Sequence, residues 1–131
     1  MALTMAEANR VVAGAIEEAE RLGIKISAAV VDSGGRLVAF NRMDGAIWAG
    51  VYGSQGKAVA SAGFGRSSTL IQQNYDTSVT LRGIAAAEGH MIPGQGAVPI
   101  IRDGVVEGAC GVGGGTAQQD EDCANAGVAK L

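Results

Sequence analysis

The sequence predicts an α/β domain of the α+β kind: an antiparallel sheet with helices on both faces. Three observations predict it. Two pairs of short apolar runs are joined by the turn signals Asp32-Ser33-Gly34-Gly35 and Asp103-Gly104, and each pair reads as a β-hairpin. Helical periodicity occupies the two chain ends and the stretch between the hairpins. Two hairpins build an antiparallel sheet, not a doubly wound parallel one.

The elements follow in chain order. Thr4 and Glu7 form a capping box, and Ala8, Val11, Val12, Ala15, Ile16, Ala19 and Leu22 recur at helical spacing until Gly23. Residues 25–31 and 36–42 are the strands of the first hairpin. Asp44-Gly45 is expected to cap a helix over 46–62, whose small residues suit close packing. Ser67 caps another helical segment, and a longer helix covers 77–88. Residues 89–96 are a loop with room for a fifth strand near 89–93. Residues 98–101 and 105–112 form the second hairpin. Thr116 and Gln119 form a second capping box that opens a final helix.

With 131 residues and no linker or repeat, residues 1–131 are expected to form one domain. Hydrophobic residues make up 47% and aromatics 4%, so the core must be built from Ala, Val, Ile and Leu. A net charge of −3 without a basic cluster argues against nucleic acid. One histidine and two cysteines outside any CxxC argue against a structural zinc site. Cys110 and Cys123 read as buried free thiols. No secretory signal or membrane-spanning run is visible, so a cytoplasmic protein with no membrane partner is expected.

The glycines Gly113, Gly114 and Gly115 stand between the last strand and the last helix. Such a turn gathers bare backbone N–H groups at a helix N-terminus, where the dipole favours an anion. It equally serves as a plain strand-to-helix turn. The spacing fits neither GxGxxG nor a P-loop. Arg42 and Lys57 are candidate ligand cations, one a planar fork and the other a point charge. The plainer alternative pairs Arg42 with Asp44 or Asp32 and leaves Lys57 solvated. His90 is the one imidazole, a candidate haem ligand or general acid/base. Asp120 is a candidate proton acceptor if buried, and otherwise a complement to the dipole. Trp48 and Tyr52 share a helix face and are expected to line a flat ligand or fill a subunit contact.

Four segments together resemble the GlcG/HbpS-like family, which includes haem-binding proteins and the C-terminal domain of PduO-type proteins. They are AAVVDSGGRLVAFNRMDGA (28–46), SQGKAVASAGF (54–64), GAVPIIRDGVVEGACGVGGG (96–115) and QQDEDCANAG (118–127). The resemblance implies a profilin-like fold with a five-stranded antiparallel sheet, and homo-oligomers of two or more chains. It also implies binding of haem or a corrinoid by some members. It strengthens Arg42, Asp44 and Lys57 as ligand-binding residues, because they lie in its characteristic segments. The sequence departs from the pattern at Gly96-Ala97, at Gly111-Val112-Gly113-Gly114, and in carrying Trp48 and Tyr52.

Two functions are therefore expected. One is an oligomeric protein that binds a carboxylate-bearing small molecule: haem, a corrinoid or a smaller metabolite. The other is a cofactor-independent catabolic lyase, hydrolase or tautomerase acting on a small carboxylate, with His90 or Asp120 moving the proton. No cofactor is required by the sequence.

Overall fold

The computed structural model describes residues 2–131. Helix α1 (Met5–Leu22) opens on the Thr4/Glu7 capping box and closes on Gly23, which takes the left-handed conformation with φ 73°. Strands β1 (Ser27–Asp32) and β2 (Leu37–Arg42) form the first hairpin. Helices α2 (Ala49–Phe64), α3 (Ser68–Gln73) and α4 (Val79–Glu88) follow. Strands β3 (Ala97–Arg102) and β4 (Val105–Gly113) form the second hairpin, and α5 (Ala117–Val128) ends the fold.

The sheet is antiparallel with the order β2-β1-β4-β3. Four strands, not five, are found among the described residues, and residues 89–93 are irregular. The departure has a visible cause. Ile92 donates its N–H to the Gly56 carbonyl of α2 at 3.0 Å, so this segment is laid across a helix and not beside a strand. Asp44-Gly45 likewise does not cap α2. It forms a separate turn, and Trp48 occupies the N-cap without a side-chain hydrogen bond.

One face of the sheet carries the main core. Ala8, Val11, Val12 and Ala15 of α1 meet Cys123 and Ala124 of α5 over Val30, Cys110 and Val112. Both thiols are free and buried, and burial pushes each up to about 12. They are inert packing. The other face carries α2, with Ala58 and Ala62 against Val31 and Ala109. Glycine lets the two layers approach. A Cβ on Gly113 would lie 3.1 Å from Gly50, so backbone meets backbone there. Helix α4 contributes one buried residue, Leu81, which joins Ala60 of α2 and Ile71 of α3 in a smaller cluster.

Candidate functional site

Helix α2 organises the site because different chemistry lies on its two flanks. Tyr52, Gln55 and Val59 recur at helical spacing on one flank, and Lys57 points from the other. The segment 89–96 crosses the outside of the helix and forms part of both.

On the first flank a cavity of about 530 Å³ opens between α2 and the start of β2. Tyr52 and His90 reach it, with Leu37, Val59 and Ile92 supplying apolar walls and Arg36 a cation. Trp48 adjoins this group: its ring meets Tyr52 edge-on at 6.1 Å, with 89° between planes. Trp48 and Tyr52 are 70% and 68% exposed, which is unusual for such large aromatics. The cross-strand register continues the floor of this flank. Leu37 lies opposite Val31, and Phe40 opposite Ala29, on the sheet face that α2 only partly covers.

On the second flank Lys57 is buried and its Nζ lies 3.0 Å from Asp120 Oδ2. The other carboxylate oxygen of Asp120 accepts the Gly115 N–H at 2.8 Å. Burial raises the Asp120 pKa, opposed by the Lys57 charge and by both hydrogen bonds. Gly96 closes this flank. Its φ is 134°, and a Cβ there would sit 2.5 Å from Lys57 Nζ. The next residue back, Gln95, is tied down at both ends: its N–H bonds Gln72 at 2.6 Å and its amide bonds Glu121 at 2.8 Å.

The candidates from sequence therefore separate into three groups. Tyr52 and His90, with Trp48 beside them, belong to the open cavity. Lys57 and Asp120 form the buried pair, so Lys57 is not the solvated residue of the plainer alternative. Arg42 and Asp44 line a shallow 420 Å³ depression with Lys25 and Glu20. Neither forms an ion pair among the described residues, so the alternative pairing of Arg42 with Asp44 or Asp32 is not found. The turn at Gly113, Gly114 and Gly115 is engaged by the chain itself. Gly113 backs onto Gly50, a Cβ on Gly114 would lie 2.6 Å from the Lys25 carbonyl, and Gly115 serves Asp120. The anion that meets this turn is the Asp120 carboxylate.

Sequence reasoning missed Arg36, Gln55 and Glu88 at the cavity. Gln55 was within reach, since it lies one helical turn from Tyr52. Arg36 carried no such signal, because its place depends on how the hairpin packs beside α2.

Fold and cavity define the class as a helix-sheet-helix α+β domain with one enclosed flank and one open flank beside its central helix. The chain belongs to the HbpS-like family. The family model described as haem degrading protein HbpS-like matches residues 3–129. Protein GlcG of Escherichia coli (strain K12) is 35% identical over 111 residues, which cover 84% of this chain and 80% of GlcG. A crystal structure of HbpS superposes with a TM-score of 0.93 at 27% identity, covering all of this chain and 91% of HbpS. A double mutant of Streptomyces reticuli HbpS gives 0.92, also at 27%, and covers 88% of that chain. The fold is shared too with a crystal structure of a PduOC:heme complex, at a TM-score of 0.90 and 23% identity, covering 96% of that chain.

Proposed function

We propose that this protein binds a flat, carboxylate-bearing small molecule of the tetrapyrrole class, haem or a corrinoid, in the cavity beside Tyr52 and His90. One observation carries the reading. The single imidazole of the chain and an exposed phenol reach the same largely apolar cavity, with a guanidinium at its rim. About 530 Å³ lies within the usual small-molecule range of about 300–1,000 Å³. The donor set fits haem, because His and Tyr are both iron ligands and Arg36 matches a propionate. When bound, haem would supply the iron chemistry. The chain's own residues would hold it: His90 or Tyr52 at the metal, Leu37, Val59 and Ile92 against the ring, Arg36 at a carboxylate. The family description and the haem complex of a protein with the same fold support this choice.

The working form is a cytoplasmic homo-oligomer. The exposed Trp48 supports a further contact, and no helix among the described residues is long and apolar enough to cross a membrane. The test is titration with hemin followed at the Soret band. Saturable binding that His90→Ala or Tyr52→Phe alters spectrally supports the reading. Unsaturable, unaltered absorption would sink it.

A cofactor-independent enzyme remains the second reading. His90 favours it, as an exposed imidazole at the open cavity with Arg36 placed to hold a carboxylate. Turnover of small carboxylates without any cofactor, lost in His90→Ala, would support it.

A further inference from the structure

We propose that the open edge of β2 pairs with the same edge of a second copy of this chain, antiparallel about a two-fold axis, with Phe40 set against Arg42 of the second copy. The inference rests on the oligomer reading above and names one surface of that assembly.

The two sheet edges differ in what they leave unsatisfied. Met43 donates its N–H to the Ile26 carbonyl, and the β1–β2 register continues from that pair. Antiparallel alternation then turns the backbone of Asn41 and Ala39 toward β1, and that of Phe40 and Arg42 outward. No strand lies beyond them, because β2 ends the sheet. At the opposite end, the Val112 N–H bonds Gly96, so by the same alternation Ala97 and Pro99 of β3 face outward. Ala97 gives its N–H to Ser68 Oγ at 2.8 Å, and Pro99 has none to give. The β3 edge is closed by a side chain and a proline, the usual protection against strand addition. The straight part of β2 has neither.

Only outward residues can bond across a new ladder, which leaves three registers near the strand centre. Arg42 opposite Arg42 sets like charges together and is disfavoured. Phe40 opposite Phe40 carries the ladder through Val38, where the β1–β2 register shifts and the strand is irregular. Phe40 opposite Arg42 avoids both. These residues lie on one sheet face, since Phe40 is opposite Ala29 and Arg42 opposite Ser27. Each guanidinium, without an ion-pair partner among the described residues, would then meet an aromatic ring of the other. The same register sets exposed Asn41 directly against its own copy, in a position that exchanges no backbone bonds. A cation–aromatic contact repeated about a two-fold axis, with an amide facing its own copy, suits a second copy of this chain.

The test uses the whole protein. At an Asn41 pair of this type the Cα atoms stand about 4.5 Å apart, within the roughly 4.4–6.8 Å span of a disulfide. Asn41→Cys should therefore form a covalent dimer under mild oxidation. Ile101→Cys, outward on the β3 edge, should not. The native thiols are buried and do not compete. Arg42→Pro removes one outward donor and the cation, and should sediment as a monomer at concentrations where the unmodified chain is an oligomer. An oligomeric wild type that neither cross-links through Asn41→Cys nor dissociates with Arg42→Pro overturns this interface and leaves the oligomer reading standing. A monomeric wild type overturns both.

Discussion

The two flanks of α2 differ in how they meet the 89–96 segment, and the difference separates a structural site from an accessible one. Both flanks carry groups that read as chemistry in the sequence. On one, Gly96 presses backbone onto Lys57 and Asp120, and the pair is sealed. On the other, His90 and Ile92 reach over the helix side by side and leave a cavity. Small residues make the seal and large ones leave the gap. Charge alone does not mark a ligand site: the most charged pair beside the helix is the least accessible.

The largest expected effect breaks the sealed flank. Asp120→Ala should cost about 3–5 kcal/mol, because it leaves a buried lysine charge without a partner. Lys57→Met combined with Asp120→Leu should recover much of that loss, since an apolar pair of similar volume replaces the ions. Urea denaturation of the singles and the double measures both. If Asp120→Ala is nearly neutral, water reaches Lys57 and the flank is not sealed.

Gly96→Ala comes next. A left-handed φ and a contact with Lys57 Nζ both oppose a side chain, so a loss of about 1–3 kcal/mol is expected. Gly114→Val should also destabilise, through a φ of 121° and the Lys25 carbonyl. It is therefore a test of the turn and not a clean test of ligand binding.

His90→Ala should reverse the pattern. The side chain is exposed, so stability should change by less than about 0.5 kcal/mol, while the Soret band of the haem complex should shift or fall. A large loss of stability with unchanged ligand spectra would exchange the roles assigned to the two flanks.

The sequence made some of this legible, and the limit is physical. Both capping boxes and both hairpin turns are local signals, and they stand where the residues place them. The Lys57–Asp120 pair spans 63 residues. No local pattern marks it, since α2 is itself built mostly of small residues and has no sharp polar face to contrast with Lys57. The absent fifth strand has the same origin. Residues 89–93 lie across α2, a tertiary choice that the Ile92 bond to Gly56 records. His90 and Tyr52 were visible as rare residue types, but their common cavity was not, because it needs the hairpin, α2 and the crossing segment together.

The smallest effect sharpens the contrast by pH. Two carboxylates shift in opposite directions. Arg102 and the Thr4 backbone hold Glu7 down from 4.5 to about 2, whereas burial raises Asp120 above its ordinary 3.8. A depressed group contributes stability that is present above its unfolded pKa and lost as the pH falls toward its folded one. Glu7 should thus add stability between about pH 2 and 4.5, rising with pH. A raised group acts in reverse: the folded state holds the proton longer, so Asp120 subtracts stability as the pH climbs from 3.8 toward its folded pKa. The two slopes oppose one another near pH 4. Glu7→Gln should flatten the acid limb of the stability profile, and Asp120→Asn should steepen it, whatever either does to stability at neutral pH. An Asp120→Asn profile parallel to that of the wild type would show that Asp120 is solvated, and the second flank would then be as open as the first.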